Sequence, residues 1–395
     1  MTLLEQLISK IENKEERIIE IRRYLHQHPE LSFQEKETSK YIKNFYKDLD
    51  IDHIETDLGG QYGHVITIKG GQEGPTIALR ADFDALPITE EVDLPFKSKN
   101  NGVMHACGHD GHTAYMLILA ESLIELKDQI KGTIKILHQP AEEVPPGGAK
   151  AMIKAGALEN VDYIFGAHVM SQFKLGTVYT HEGNTQTARA YFKLTIKGKS
   201  GHGSAPHDAN DAIVAASSFV MNAQTVVSRR VNPFDMGVLS IGSFDGKGQF
   251  NIIRDKVVLE GDVRSMSEET AKTIQDMVTQ LAKGLEESFQ VETELEYKPD
   301  YPVLYNDPAV TKRVTSALES LNISDIKAVE DSGPISPSED FSYYLKEVPG
   351  CFFYIGANED PENSYPHHHP KFEIDEKSLK ISAISMAAVV DEFVG

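Results

Sequence analysis

The chain has 395 residues, of which 40% are hydrophobic, and its formal net charge is −21 at pH 7. Such an acidic surface repels nucleic acid and anionic lipid, so the composition excludes proteins that bind either one through a basic face. No apolar stretch approaches the roughly 20 residues that span a bilayer, and a total of two cysteines excludes a disulfide framework.

The N-terminal segment is predicted to be an amphipathic helix. Apolar side chains recur at helical spacing over residues 4–21, with charged residues between them. The segment lacks the apolar core of a secretory signal. Together with the low cysteine content, which suits a reducing compartment, it predicts a cytoplasmic protein with neither a membrane nor a nucleic-acid partner.

Strands and helices alternate through residues 1–186. Short apolar strands are predicted in "PTIALRADFDALP", "GTIKILHQPAEE" and "VDYIFGAHV", and stretches such as "TAYMLILAESLIEL" between them are predicted to be helical. This alternation predicts an α/β domain with a mostly parallel sheet and helices on both faces.

Acidic and histidine side chains stand at the carboxyl ends of these predicted strands. They are Asp82 and Asp84, Glu142 and Glu143, and His168. In open sheets of this class, ligands bind beyond the carboxyl ends of the strands. We therefore expect the active site at this edge.

Residues 187–299 have a different pattern. Strands and helices follow the order β-α-β-β-α-β, beginning with "ARAYFKLTIKG" and ending with "VETELEYKP". This order is the ferredoxin-like motif, and it predicts a compact α+β domain inserted into the first one. Residues 300–395 return to α/β character, with the strand "CFFYIGAN", the loop "PHHHP" and a final helix. They are predicted to complete the catalytic domain begun by residues 1–186.

The stretch "MHACGHDGH" at residues 104–112 is the densest group of ligand-type side chains. A CxxC redox pair is absent, whereas Cys107 and His109 offer sulfur and imidazole of the kind that borderline-soft divalent ions prefer. Asp110 or Thr113 is expected to cap the helix that follows. This stretch predicts part of a metal site.

Other ligand-type residues are distant in sequence. Glu142 and Glu143 are either a solvated acidic loop or a metal ligand beside a proton-transfer base. Asp82 or Asp84 could hold a ligating histidine through a hydrogen bond. With His168 and the run "HHH", the chain offers five or more good ligands, which suits two metals about 3.5–4 Å apart. In the inserted domain, "GKSGHGSAPH" is either a hairpin or a loop that delivers His202 to a substrate carbonyl.

Six motifs in order resemble the hippurate hydrolase branch of the two-metal aminoacylase and carboxypeptidase family. They are "HACGHDGH", "PAEE…GGAKAMIKAGAL", "GAHV", "GHGSAPH", "SEDFSYY" and "HHPKF". The branch includes N-acyl-amino-acid amidohydrolases, auxin-conjugate hydrolases and N-acetyldiaminopimelate deacetylases. The resemblance spans nearly the whole chain, and it implies a catalytic α/β domain with an inserted lid or dimerisation domain.

The resemblance implies a role for individual residues. The implied metal ligands are Cys107, His109, Glu143, His168 and His368. Glu142 would be the general base and then the general acid, Asp84 would support a ligand, and His202 would match a lid histidine that reaches the partner subunit's site. Relatives carry Leu-His-x-Pro where this chain has His367 before His368, so the choice among His367, His368 and His369 stays open. Asp82 stands where distant relatives have a ligating histidine, and it is not assigned as a ligand.

The predicted function is a metal-dependent amidohydrolase that cleaves N-acyl amino acids through a metal-activated water. Two divalent ions per subunit are expected: Mn or Zn, with Co or Ni as alternatives. Arg264 and Arg254 are candidates to bind the substrate carboxylate, because a guanidinium fork suits it, and Asn251 could add a hydrogen bond. The family also implies a homodimer formed through the inserted domain.

Two other enzyme functions remain open. A dipeptidase or carboxypeptidase, or an N-acetyldiaminopimelate deacetylase, would use the same centre. A metal-dependent binding protein without turnover is disfavoured, because binding alone needs no base beside Glu143. A cysteine hydrolase built on Cys107 and His109 is disfavoured because it leaves Glu143 and His168 without a role.

Overall fold

The computed structural model describes residues 1–58 and 62–395. The chain forms two compact units, each built from more than one segment of the sequence. Unit 1 comprises Met1–Gly183, Tyr305–Gly333 and Asp340–Gly395, and unit 2 comprises Asn184–Leu304 and Pro334–Glu339. The predicted insertion, 187–299, is a few residues shorter than the long segment of unit 2. Residues 334–339, predicted in the first domain, group with unit 2 instead, because Ile335 N donates to Thr185 O at 2.9 Å.

The helices and strands are numbered here in chain order. The first half contains α1 (Leu3–Asn13), α2 (Glu15–Gln27), α3 (Lys36–Phe45), β1 (His53–Leu58), β2 (Gly63–Lys69), β3 (Gln72–Asp82), α4 (His109–Ile124), β4 (Lys131–Gln139), α5 (Ala149–Lys154), β5 (Tyr163–Lys174), β6 (Thr177–Thr180) and β7 (Gly183–Gln186). There follow β8 (Ala188–Lys197), β9 (Gly201–His202), α6 (Ala212–Arg230), β10 (Gly237–Asp245), β11 (Ile252–Ile253), β12 (Lys256–Ser265), α7 (Glu268–Phe289) and β13 (Glu292–Pro299). The chain ends with β14 (Leu304–Asn306), α8 (Pro308–Glu319), β15 (Ala328–Asp331), α9 (Ser342–Glu347), β16 (Gly350–Asn358) and α10 (Lys377–Val394).

The N-terminal segment forms two helices, whereas a single helix was predicted over residues 4–21. The first begins with a capping box, in which Thr2 and Glu5 each accept a backbone hydrogen bond from the other residue. The two helices meet at Lys14, whose φ of −110° and ψ of 9° are not helical. Hydrophobic spacing alone did not reveal this break, because both helices bury their apolar side chains in the same core.

Unit 1 is built on an eight-stranded sheet in the order β1-β2-β4-β3-β5-β16-β6-β15. Four neighbouring pairs are parallel, namely β3 with β4, β3 with β5, β5 with β16, and β6 with β15. The central strands β3, β4 and β5 are therefore parallel to one another, and their carboxyl ends lie at one edge. This confirms the mostly parallel α/β fold that the strand–helix alternation predicted.

Helices cover both faces of this sheet. Cys351, Phe353 and Ile355 of β16 enter the main core with α1, α2, α4 and α10. Side chains alternate along a strand, so Phe352 points to the opposite face, where its ring lies 5.0 Å from the ring of Phe341 beside α9. Helix α4 buries fifteen of its residues, because its sequence is apolar on nearly every side. Within the described ranges, no helix is both long and apolar enough to cross a membrane.

Unit 2 contains a four-stranded antiparallel sheet in the order β10-β12-β8-β13. Helices α6 and α7 pack against it, and Phe192, Leu194 and Val257 lie in the shared core. Ser267 caps α7 by accepting a hydrogen bond from Thr270 N at 3.1 Å. The chain order β8-α6-β10-β12-α7-β13 confirms the predicted ferredoxin-like domain.

Tight packing on β12 gives a test of this domain. Gly261 faces Phe192 on the neighbouring strand, and a Cβ there would lie 2.3 Å from Phe192 Cε1. We therefore expect Gly261→Ala to lower the free energy of unfolding by about 1–3 kcal/mol, measured by urea denaturation.

Gly242→Ala is the matched control for this substitution. Gly242 is an exposed residue of the adjacent strand β10, and a Cβ there would meet nothing within 4 Å. Its effect should stay within about 0.5 kcal/mol. Equal losses of stability in the two variants would contradict the packing argument.

Candidate metal centre

The loop at residues 104–108 leads directly into α4. Gly108 precedes the helix with a φ of +96°, and a Cβ there would lie 2.5 Å from Val169 Cγ2, so glycine suits both the backbone angle and the space. The helix consequently begins at His109. The prediction that Asp110 or Thr113 caps it is wrong, since both lie inside the helix. Asp110 accepts a hydrogen bond from Arg22 Nε at 2.9 Å, and Thr113 Oγ1 donates to Asp82 O at 2.9 Å.

Asp84 holds His109 in a fixed orientation. His109 Nδ1 lies 3.0 Å from Asp84 O and 3.2 Å from Asp84 Oδ1. The other ring nitrogen, Nε2, is buried and has no hydrogen-bond partner among the described residues. Burial lowers the pKa of His109, but the carboxylates of Asp82 and Asp84 outweigh this effect and raise the pKa to about 10. A buried imidazole nitrogen without a partner, among carboxylates, is suited to bind a cation.

Asp82 holds a different histidine. His112 Nδ1 lies 2.6 Å from Asp82 Oδ1, and His112 Nε2 accepts a hydrogen bond from Val169 N at 3.0 Å. Since both ring nitrogens of His112 are engaged, this histidine supports the loop rather than offering a free ligand atom. Each of the two aspartates therefore fixes one histidine. Asp84 holds His109, which is among the predicted ligands, whereas Asp82 holds His112, which is not.

The thiol of Cys107 faces two histidines. Cys107 Sγ lies 3.5 Å from His168 Nε2 and 3.6 Å from His367 Nδ1. Burial, followed by the charges of Glu143 and Glu142, raises the pKa of Cys107 well above its usual range. A divalent ion is the kind of partner that stabilises a buried thiolate.

His168 lies within β5 and not at its end. The strand was predicted to stop at His168, but it continues to Lys174, because β16 pairs with it beyond that point: Tyr354 lies opposite His168 and Ile355 opposite Val169. His168 Nδ1 lies 2.7 Å from Val169 O, which leaves Nε2 facing Cys107.

Glu143 and His368 meet at the other side of the cluster. His368 Nε2 lies 3.1 Å from Glu143 Oε1. The backbone N–H of Glu143 donates to Asp84 Oδ2 at 3.0 Å, and that of His368 donates to Ala106 O at 2.8 Å. His368 has a φ of +65°, a conformation that sets its direction apart from those of its two histidine neighbours.

The neighbouring histidines make different contacts: Nδ1 of His367 faces Cys107 Sγ, and His369 lies against Tyr365. His367 Nε2 accepts a hydrogen bond from Ser171 N at 3.2 Å, and burial together with His368 lowers the pKa of His367 to about 3. The ring of His369 stacks on Tyr365 at 4.5 Å between centroids. Of the three, His368 has the side chain directed at Glu143, which favours it as the ligand.

The candidate ligand atoms form overlapping groups. Within each group the atoms all lie within 4.8 Å of one another: Cys107, His109 and His168; Cys107, Glu143 and His368; and His109, Glu142 and Glu143. The five predicted ligands and Glu142 are thus brought together from segments far apart in the chain. Sulfur, imidazole and carboxylate donors at this spacing fit divalent metal ions such as Zn²⁺ or Mn²⁺.

A buried charge network beside the cluster was not predicted from the sequence. Arg80, on β3, donates to Asp82, to Gln139 at 2.9 Å and to Asp340 at 3.0 Å. Asp340 also accepts from Ala149 N at 3.0 Å, and burial raises its pKa to about 6. The available signal was an arginine inside the apolar run "IALRAD", because a buried guanidinium requires carboxylate partners.

The other candidate residues lie in unit 2. His202 is exposed on β9, and its Nδ1 is 2.8 Å from Ser204 Oγ. Asn251 O accepts a hydrogen bond from Gly203 N at 2.8 Å, so these two segments are joined. Arg264 donates to Asp262 at 2.9 Å and to Ser338 at 3.1 Å. Arg254 Nε donates to Lys256 O at 3.1 Å.

Sequence and structure comparisons place the chain among known proteins. The sequence model of Peptidase family M20/M25/M40 matches residues 78–392. Thermostable carboxypeptidase 2 of Saccharolobus solfataricus is 38% identical over 396 residues, which cover 100% of this chain and 99% of that protein. N-acetyl-L-cysteine deacetylase of Bacillus subtilis is 40% identical over 365 residues, 92% of this chain and 85% of that protein.

A solved structure extends the comparison to three dimensions. The YXEP protein of Bacillus subtilis, described as a dinuclear metal binding peptidase from the M20 family, superposes with a TM-score of 0.83 at 33% identity and covers 96% of this chain and 98% of that one. The predicted family and the predicted class of enzyme, a hydrolase of amide bonds, are confirmed by these matches. The chain belongs to peptidase family M20/M25/M40.

Proposed function

We propose that this protein is a metal-dependent amidohydrolase that cleaves the amide bond of N-acyl amino acids. The observation that carries the proposal is the grouping of Glu142 with the candidate ligands His109 and Glu143, within 4.8 Å. A site that only binds metal has no use for a second carboxylate beside the ligands, whereas amide hydrolysis needs a base there. The deacetylase relative from Bacillus subtilis supports the substrate class.

Two divalent ions would be held by five side chains in this proposal. Cys107, His109 and His168 form one group of donors that would hold metal, and Cys107, Glu143 and His368 form another. When bound, such ions acidify water and polarise a carbonyl oxygen. Zn or Mn suits this mixture of sulfur, nitrogen and oxygen donors, with Co or Ni as alternatives. The dinuclear relative of known structure supports the number of ions.

Glu142 would carry the proton through the reaction. Its carboxylate takes a proton from the attacking water, the resulting hydroxide adds to the amide carbonyl, and Glu142 then gives the proton to the departing amine. Asp84 keeps His109 oriented throughout, because it accepts from Nδ1 and leaves Nε2 for the metal.

Residues of unit 2 are proposed to complete substrate binding. His202 is exposed and would donate to the carbonyl oxygen as negative charge develops there. Arg264, with Asn251, would bind the substrate carboxylate, and Arg254 is the alternative cation. We also propose that the protein is a homodimer formed through unit 2 and that it works in the cytoplasm, where its two free cysteines would stay reduced.

A carboxypeptidase or dipeptidase is the second candidate. The carboxypeptidase relative from Saccharolobus solfataricus favours it, and the same residues would perform the chemistry. The two functions differ in the group on the carbonyl side of the scissile amide. This group is a simple acyl group in an N-acyl amino acid and an amino acid residue in a peptide.

A substrate panel tests the proposal. We expect the metal-loaded protein to hydrolyse N-acetyl- or N-benzoyl-amino acids with a kcat/KM at least about tenfold above that for dipeptides, measured by amine release. The chelated protein is the control and should be inactive on both. A preference for dipeptides would favour the second candidate instead.

Glu142→Ala separates proton transfer from metal binding. Removing a general base typically costs about 10²–10⁴-fold in rate, so we expect a kcat loss in that range. Metal content, measured by elemental analysis of the same sample, should remain at the wild-type level. Unchanged turnover would rule out the assigned role of Glu142.

Glu143→Ala and His368→Ala test the ligand assignment. Each should lower metal affinity by at least about tenfold, because each removes one donor from the same group. His369→Ala is the matched control, since its ring stacks on Tyr365 and should leave metal affinity unchanged. Metal loss in the His369 variant but not in the His368 variant would reassign the ligand.

A further inference from the structure

The segment at residues 30–35, "ELSFQE", contacts the metal centre at two points. Ser32 Oγ donates to Asp84 Oδ2 at 2.7 Å, which is the carboxylate that orients His109. The backbone of the same segment is hydrogen-bonded to the residues that follow β3, because Ala85 N donates to Glu30 O at 2.8 Å. The segment is therefore fixed to the centre before α3 begins.

Glu35 makes the second contact. The backbone N–H of Ala141 donates to Glu35 Oε1 at 2.8 Å, and both residues are fully buried. Glu35 occupies the N-cap position of α3, yet its side chain makes no capping hydrogen bond. The carboxylate of Glu30 takes that role instead by accepting from Thr38 N at 2.7 Å. The side chain of Glu35 is thus directed into the interior, away from its own helix.

Ala141 is held in an unusual conformation. Its φ is +54°, in the left-handed region that costs a residue with a Cβ about 1–2 kcal/mol. Both of its backbone groups are engaged, because Glu35 accepts from its N–H and Gly148 N donates to its carbonyl at 3.0 Å. Glu142 and Glu143 follow immediately, so the direction of both carboxylates depends on this turn.

We propose that Glu35 is a positioning residue for Glu142, acting by holding the Ala141 amide and so fixing the turn that presents the catalytic carboxylate. The inference rests on the proposed function. A shift of about 1 Å in a reacting group can cost on the order of 10²-fold in rate, so a contact remote from substrate can matter.

Burial favours the neutral form of Glu35. Its second oxygen, Oε2, is buried without a hydrogen-bond partner among the described residues, which disfavours a charge. Burial, together with the nearby charge of Asp84, raises the pKa of Glu35 to about 8. The protonated carboxyl offers a carbonyl oxygen to Ala141, and the amide of glutamine offers the same acceptor at the same reach.

Three substitutions test this role in the metal-loaded protein. Glu35→Gln keeps the acceptor, Glu35→Asp keeps a carboxyl but shortens its reach, and Glu35→Ala removes both. We expect kcat for an N-acyl amino acid within about threefold of wild type for Gln and about 10–100-fold lower for Asp and Ala. KM and metal content should change by less than about threefold. Glu37→Ala is the control, because the side chain of Glu37 is exposed in the first turn of α3 and pairs with Lys40 at the surface.

Hydrogen exchange supplies a readout that does not require turnover. Exchange of the Ala141 amide, followed by mass spectrometry over residues 139–148, should be at least about tenfold faster in the Asp and Ala variants and unchanged in the Gln variant and the Glu37 control. If Glu35→Ala does not fold, the Asp variant alone decides the outcome.

Several outcomes would overturn the inference. They are wild-type kcat and exchange in both the Asp and Ala variants, a Gln variant as impaired as Ala, or loss of metal in proportion to activity. If wild type itself does not turn over N-acyl amino acids, the proposed function fails, and the exchange experiment still decides whether Glu35 holds the turn.

Discussion

The metal centre depends on the contacts made by the carboxylate of Asp84. This carboxylate faces His109 Nδ1, accepts from the backbone N–H of Glu143 and accepts from Ser32 Oγ, all at 2.7–3.2 Å. One buried group therefore ties the start of α4, the loop after β4 and the N-terminal segment together. Burying a carboxylate is unfavourable unless hydrogen bonds and opposite charge offset it, and here they lower its pKa. The same contacts that offset this cost also orient the candidate ligands.

The sequence predicted, for a definite physical reason, the edge of the sheet at which these residues lie. Parallel strands bring their carboxyl ends to one edge, so Asp84 and Glu143 could be placed together before any coordinates were known. Contacts that depend on tertiary geometry escaped prediction. The helix start at His109 depends on the backbone of Gly108, and the length of β5 beyond His168 depends on pairing with β16. Neither leaves a distinctive local pattern.

The buried contacts of charged residues were also not predicted from the sequence. Arg80 resembled an ordinary strand residue, and Asp340 belonged to a quoted motif without an assigned role, yet the two form a buried ion pair. Glu35 was not singled out either. The role of each residue depends on a partner 100 or more residues away. Ala141, which donates a hydrogen bond to Glu35, is separated from it by 106 positions. Spacing along a sequence does not encode such pairs.

The spread of the candidate ligands along the chain has a consequence for stability. Cys107, His168 and His368 belong to segments that are distant in sequence, and the fold brings their donor atoms together. The unfolded chain lacks this assembled group of donors. A metal ion that binds the folded protein preferentially would therefore raise its free energy of unfolding by mass action.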